Sequence, residues 1–195
     1  TRLYYIDIEN KKGKRSADYE AELEYLISSG ISLEVLAVSN PKFPLKESVQ
    51  KTLIKLYLND VGLLTNILYR YNVNAVIGAE SNVNLGAVYE TVIAQELSAH
   101  GYSLRYYDNK TKGEVDFLVD DYDALSAMPI EVKSGKDFKQ HRALDKFVEN
   151  EDYHIKKAIL FSNDSKVERS GKVVYMPIYY AMFLKPSNPD SFIIP

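Results

Sequence analysis

The 195-residue sequence contains no cysteine and no tryptophan. The lack of cysteine excludes a disulfide scaffold, thiolate zinc sites and catalysis by a thiol nucleophile. No apolar run approaches the roughly 18 residues that a membrane-spanning helix needs, and no secretory leader pattern stands at the N-terminus. We therefore expect a cytoplasmic protein with no membrane partner. Because the sequence begins at Thr1 and not at Met, we expect it to be a piece of a longer chain.

Positive charge is also in short supply, and the deficit is uneven. Residues 1–75 contain ten Lys or Arg and nine Asp or Glu, whereas residues 76–195 contain 14 and 18, for a net charge of -3 over the whole chain. An acidic chain does not bind nucleic acid by bulk charge alone. Any contact with DNA or RNA must therefore depend on local groups.

The first part of the chain predicts a helix followed by two strands. Apolar residues at helical spacing indicate a helix over 16–30, and strand-like runs follow over 31–38 and 52–58. A helix followed by a two-stranded ribbon is the second half of a winged helix. We therefore interpret residues 1–75 as a partial winged-helix or linker region, although its predicted helix is acidic and unsuited to a DNA groove.

The second part, residues 76–185, predicts the element order α-β-β-β-α-β, and residues 186–195 predict an irregular tail. The predicted fold class is accordingly α/β (α+β). The predicted helices cover 85–100 and 137–150, and the predicted strands cover 103–108, 113–120, 128–134, 157–162 and 172–178.

Two of these strands carry charged residues between apolar ones. Strand side chains alternate between the two faces of a sheet. In GEVDFLV the alternation separates Val115, Phe117 and Val119 from Asp116, and in PIEVKSG it places Glu131 and Lys133 on the same face. Neighbouring strands would then bring two carboxylates and an amine together.

Such a cluster suits a divalent cation. Two adjacent carboxylates raise each other's pKa unless a cation bridges them, and their hard oxygens suit Mg²⁺ or Mn²⁺. Asp116 and Glu131 are the candidate ligands, and Glu90 is a third. Glu90, which borders the apolar side of its predicted helix, would complete or orient the water shell, and Lys133 would position a nucleophilic water or stabilise developing charge. A plain α/β domain with solvated polar strand faces is the alternative at this point.

A basic group follows on the next predicted helix. Lys139, Arg142 and Lys146 are spaced three and four residues apart, which would place them along one helix face. They are candidate contacts for nucleic-acid phosphates.

The segments LGAVYETVIAQEL, GEVDFLV and PIEVKSG, with KLYLNDVGLL upstream, carry a resemblance to a known family. They resemble the C-terminal domain of unknown function appended to a family of bacterial and archaeal AAA-type ATPases, which is similar to PD-(D/E)XK nucleases. The resemblance extends from about residue 19 to 180. It implies a restriction-endonuclease-like αβββαβ core in which Glu90, Asp116, Glu131 and Lys133 occupy the nuclease positions.

The resemblance implies Mg²⁺-dependent hydrolysis of phosphodiester bonds in DNA or RNA. It also implies an N-terminal AAA-type ATPase domain as a partner, because this chain has no G-x-x-x-x-G-K-[ST] motif. The alternative is a nuclease fold without catalytic activity that serves protein interaction or oligomerisation of the ATPase. The sequence leaves the substrate and a homo-oligomeric state open.

Overall fold

One mixed sheet of eight strands organises the computed structural model, which describes residues 16–70, 72–78, 85–109, 111–135 and 138–186. The strand order is β2-β1-β3-β4-β5-β6-β8-β7. The β1–β3, β5–β6 and β6–β8 pairs are parallel, and the remaining pairs are antiparallel. The strands are β1 Ser32–Val38, β2 Val49–Leu58, β3 Arg105–Asn109, β4 Gly113–Asp121, β5 Ser126–Lys133, β6 Ala158–Ser162, β7 Glu168–Ser170 and β8 Val173–Pro177.

Helices cover both faces of this sheet. The α-helices are α1 Glu20–Ser28, α2 Val61–Tyr69, α3 Val73–Ile77, α4 Gly86–Ala99 and α5 Arg142–Glu149. Short 3-10 helices span Ser16–Tyr19, Leu45–Ser48, Glu151–Tyr153 and Ile178–Phe183. On one face, Ile93 and Leu97 of α4 pack into a core with Phe117 and Ile130 of the central strands.

The opposite face carries a second core. Leu144 and Phe147 of α5 pack there against Leu118 and Leu160. Arg142, Lys146 and Glu149 of the same helix are exposed, so its apolar side chains face the sheet while its charged ones face solvent.

The predicted order α-β-β-β-α-β is confirmed by α4, β3, β4, β5, α5 and β6, and the molecule is a mixed α/β fold. The predicted helix at 85–100 corresponds to α4. The helix predicted over 137–150 begins only at Arg142, because Phe138 and Lys139 form a turn in which the Phe138 ring lies 6.2 Å from that of Tyr175.

The winged-helix interpretation of residues 1–75 is not confirmed. The two predicted ribbon strands, β1 and β2, do pair antiparallel, but β1 also pairs with β3 on its other side. The sheet therefore continues across the boundary predicted at residue 75. Strand patterning shows which side chains face a core, but it does not show which strand occupies each edge. Residues 1–15 and the tail at 187–195 lie outside the described residues.

None of the helices in the described ranges combines the length and the apolar character needed to cross a membrane.

Candidate active site in the fork between β4 and β5

The sequence-predicted site residues meet where β4 and β5 cease to pair. The two strands are paired from Asp121↔Ser126 to Phe117↔Ile130. Beyond that point β4 continues to Gly113 beside β3, and β5 continues to Lys133 beside β6. Within this fork the Oδ2 atom of Asp116 accepts a hydrogen bond from the backbone N–H of Val132 at 2.8 Å. A side chain thus bridges the strands where their ladder ends.

An irregularity in β4 places Asp116 in the fork. The register between β3 and β4 shifts by one residue between the pairs Arg105↔Leu118 and Tyr107↔Val115. Val115 consequently packs in the core under α5, whereas Phe117 packs in the core under α4. The uninterrupted alternation predicted for Val115, Phe117 and Val119 is therefore wrong at this point. A bulge re-aims the side chains around it, and bulges are common beside functional sites.

Glu131 and Lys133 lie together on the next strand, as their spacing predicted. Lys133 Nζ is 2.7 Å from Glu131 Oε1. Glu131 is only 5% exposed, and its Oε2 atom is buried without a hydrogen-bond partner among the described residues. Because a buried carboxylate oxygen without a donor is costly, this atom is suited to receive a ligand.

Glu90 approaches from α4 and is oriented by a residue that the sequence analysis did not identify. The Tyr57 hydroxyl of β2 donates a hydrogen bond to Glu90 Oε2 at 2.8 Å. Tyr57 is 3% exposed, and its ring centroid lies 5.5 Å from that of Phe117. A signal was present in TLIKLYL, where Lys55 and Tyr57 are two residues apart in an otherwise apolar strand and so share one face.

Lys55 is a second residue that the sequence analysis did not identify. It is buried, forms an ion pair with Glu114, and its Nζ lies 4.6 Å from the centroid of the Tyr106 ring. A buried ammonium is tolerated only when it is paired, and here a carboxylate and an aromatic face share that task. Its charge also lowers the pKa of Asp116.

The net electrostatic effect on Asp116 nevertheless disfavours its charged form. Burial, followed by the negative charges of Glu131 and Glu90, raises the pKa of Asp116 to about 8, although the Val132 N–H and Lys55 act in the opposite direction. The two other carboxylates are therefore close enough to act on Asp116. Repulsion of this kind is what a bound cation relieves.

The other two charged groups respond to the same surroundings. Burial raises the pKa of Glu131, and the nearby Lys133 ammonium only partly offsets this. For Lys133 itself, burial lowers the pKa, but Glu131, Asp116 and Glu90 more than compensate, so that its pKa is raised. Lys133 thus remains charged and cannot act as a general base near neutral pH.

The carboxylate oxygens of the fork are the kind of ligand that a hard divalent cation prefers, although the side chains that carry them also pair with protein groups. Within the described ranges, no three His, Asp or Glu side chains are arranged to hold a metal ion. Mg²⁺, however, is usually held by one or two carboxylates together with waters and substrate phosphates. Asp116 and Glu131, whose Oε2 has no hydrogen-bond partner among the described residues, are the carboxylates that could supply such a pair.

The basic residues predicted to contact phosphates are more dispersed than their spacing suggested. Lys139 precedes α5, so it does not share a helix face with Arg142 and Lys146, which are both exposed. Lys139 instead pairs with Glu168 at 2.9 Å. Because both partners are more than half exposed, this pair is weak and a phosphate could replace Glu168.

Comparison with known proteins covers the second part of the chain. No curated protein and no solved structure matches the chain. Residues 85–181, which include Glu90, Asp116, Glu131 and Lys133 but neither Lys55 nor Tyr57, match a protein family described as Domain of unknown function (DUF4143). Over just under half of its length the chain is therefore similar to this domain of unknown function, in agreement with that part of the sequence resemblance.

Proposed function

We propose that the fork between β4 and β5 is the active site of a Mg²⁺- or Mn²⁺-dependent phosphodiesterase that acts on nucleic acid. The observation that carries the proposal is the arrangement of the fork: Asp116 bridges to the Val132 N–H, and the neighbouring Glu131 keeps one buried oxygen without a partner among the described residues while its other oxygen pairs with Lys133. A site with perturbed carboxylates, a charged lysine and a buried acceptor to which no described residue donates has the components of a metal-assisted hydrolase.

Each residue of the fork has a distinct task in this proposal. Asp116 and Glu131 would hold the cation, which when bound would supply Lewis-acid stabilisation of the phosphoryl oxygens. Tyr57 fixes the Glu90 carboxylate through its hydroxyl, so that Glu90 can orient a water. Lys133, kept positively charged by its neighbours, would position the attacking water or stabilise charge that develops on the phosphate.

Hydrolysis of labelled DNA and RNA with Mg²⁺ or Mn²⁺ tests the proposal. Asp116→Asn and Lys133→Met should each lower the hydrolysis rate by about 100-fold or more, the scale expected when a positioned catalytic group is removed. Glu22→Gln on α1 and Lys156→Met, both at exposed positions, are the matched controls and should keep the wild-type rate. Activity that survives the double variant Asp116→Ala and Lys133→Ala would overturn the assignment.

A specific observation also favours the second candidate, a nuclease-like module without catalytic activity for protein interaction or oligomerisation of an associated ATPase. The Lys133–Glu131 ion pair and the Tyr57–Glu90 hydrogen bond pair charged groups of the fork with other protein groups. Under this candidate, calorimetry should detect no Mg²⁺ or Mn²⁺ binding at millimolar concentration and no hydrolysis should occur. Under the phosphodiesterase proposal, binding is detected and is lost in Asp116→Asn.

A further inference from the structure

Aromatic side chains are exposed on the 3-10 helix that follows β8. Tyr179 is 54% exposed and Phe183 is 67% exposed. Tyr180 lies between them, with its ring centroid 5.1 Å from that of Tyr179 and 5.9 Å from that of Phe183. We call these three residues the aromatic ladder. The exposed rings of Tyr179 and Phe183, with the partly buried Tyr180 ring between them, form a surface on which another flat group can stack.

The aromatic ladder begins at the edge of the sheet that contains the fork. The parallel strands β5, β6 and β8 end in register at Lys133, Ser162 and Pro177. Since neighbouring strands are about 4.8 Å apart, the backbone of Pro177 lies about 10 Å from that of Lys133. The 3-10 helix starts at Ile178, directly after Pro177.

The same 3-10 helix packs against α4, the helix that carries Glu90. Ile178, Tyr180 and Leu184 turn inward and pack against the core under α4, while Tyr179 and Phe183 face outward. The inner side chains therefore fix the ladder on the scaffold that also holds one carboxylate of the fork.

The segment that contains the ladder carries no negative charge. In a chain with a net charge of -3, residues 173–186 include the exposed Lys185 and neither Asp nor Glu. A polyanion is therefore not repelled by this segment, although the chain as a whole is acidic. Nucleic acid with unpaired bases combines a polyanionic backbone with flat rings, and such bases stack on exposed aromatic side chains with little dependence on sequence.

We propose that the aromatic ladder binds the unpaired bases of single-stranded nucleic acid and places the adjoining backbone at the fork. This deepens the proposed function, on which it rests, by naming single-stranded DNA or RNA as the substrate class. Double-stranded nucleic acid does not meet the requirement, because its bases are stacked on one another and offer no free face to the rings.

Binding of a fluorescein-labelled 20-nucleotide single strand, measured by fluorescence anisotropy in EDTA so that no cleavage occurs, tests the ladder by itself. Tyr179→Ala and Phe183→Ala should each weaken the Kd by about 5- to 100-fold, the scale of one lost base–ring stack. Tyr179→Phe and Phe183→Tyr keep a ring and should stay within about twofold of wild type. Tyr25→Ala, which removes an equally exposed ring from α1, is the matched control and should not alter the Kd.

Three outcomes would overturn the inference. The first is a Kd for the single strand that is unchanged in both alanine variants, or no binding by the wild-type chain. The second is an equal loss of affinity for a duplex of the same length. The third is self-association in sedimentation experiments that Phe183→Ala abolishes while oligonucleotide binding persists, because the ladder would then contact a second copy of the chain.

The inference and the proposed function fail in different ways. Hydrolysis is measured separately with Mg²⁺ or Mn²⁺ on the same oligonucleotides. Ring-dependent binding without any hydrolysis would retain the ladder and refute the phosphodiesterase. Hydrolysis with ring-independent binding would retain the phosphodiesterase and refute the ladder.

Discussion

Asp116 makes the stability of the folded chain depend on pH. Burial, and then Glu131 and Glu90, raise its pKa to about 8 in the folded chain, whereas an unfolded Asp titrates near pH 4. Between these values the folded state binds a proton that the unfolded state has released. Stability contributed by this protonated group is complete below about pH 4 and is lost as the pH rises toward about 8.

Asp116→Asn should remove this dependence, because an amide does not titrate. In urea unfolding with EDTA from pH 5 to 8.5, the wild-type free energy of unfolding should fall by at least about 1 kcal/mol relative to that of the variant. Asp152→Asn, at an exposed position, should follow the wild-type pH dependence. Parallel curves for wild type and Asp116→Asn would show that the fork does not perturb this carboxyl.

Tyr57 positions Glu90 through its hydroxyl oxygen, and a single substitution can remove that atom. Tyr57→Phe keeps the ring against Phe117 and deletes only the hydroxyl that donates to Glu90. We expect a loss of about 1–3 kcal/mol in the free energy of unfolding, the scale of a hydrogen bond to a charged group. We also expect about tenfold weaker Mg²⁺ binding in calorimetry, because residues that orient metal-site carboxylates affect affinity on this scale. Tyr25→Phe on α1 is the control, and an unchanged Mg²⁺ affinity in Tyr57→Phe would separate Glu90 from the cation.

At the scale of elements, the sequence predicted the helices and strands that local periodicity determines. It did not predict the features that depend on which strands pair and in which register. The apolar spacing of α4 and the apolar strands β4 and β5 sufficed for the order α-β-β-β-α-β. The spacing of Glu131 and Lys133 likewise predicted their shared face. The bulge near Asp116 was not predictable, because it depends on the pairing register with β3, which the residue pattern of β4 alone does not specify.

Lys55 and Tyr57 were missed for a related reason. They lie on β2, which was interpreted as the ribbon of a separate winged helix and therefore was not considered as part of the site. Only the parallel pairing of β1 with β3 brings that ribbon onto the sheet whose face is covered by α4. Contacts between segments far apart in sequence leave no periodic signal in either segment.

A substitution at Gly113, the first residue of β4, tests how closely that strand approaches α5. Its φ is +97°, and an added Cβ would lie 2.9 Å from Cβ of Ala143. Gly101 has a similar φ of +87° but open space around it. Both alanine variants carry the strain of a positive φ, but only Gly113→Ala adds a clash.

We expect Gly113→Ala to lower the free energy of unfolding by about 1–3 kcal/mol more than Gly101→Ala does, the usual scale for overpacking. Urea unfolding of the two variants measures the difference. Because Gly113 lies only three residues before Asp116 on β4, any hydrolytic activity should also fall in Gly113→Ala and not in Gly101→Ala. Equal destabilisation by the two substitutions would contradict the close approach of β4 to α5.

At the scale of the whole molecule, the acidic net charge is compatible with a nucleic-acid substrate because the charge is unevenly distributed over the chain. In the proposed site a cation would offset the carboxylates of the fork, while residues 173–186, which lead into the aromatic ladder, contain neither Asp nor Glu. A polyanion would then meet an uncharged aromatic surface next to the exposed Lys185 before it reaches the fork. Affinity built on stacking should also depend less steeply on salt than affinity built on many phosphate contacts.

The continuous sheet predicts that the chain unfolds as one unit, although its sequence suggested a boundary at residue 75. Strand β1 pairs with β2 on one side and with β3 on the other, and Tyr57 contacts Glu90 across the same boundary. We therefore expect a single thermal transition in which the far-ultraviolet backbone signal and the near-ultraviolet tyrosine signal coincide. A fragment of residues 76–195 would expose the edge of β3 and part of the core under α4, and we expect it to aggregate or remain unfolded. Two separate transitions, or a fragment with the Tm of the full chain, would support a domain boundary at residue 75. Either result would contradict a role for Tyr57 in the site.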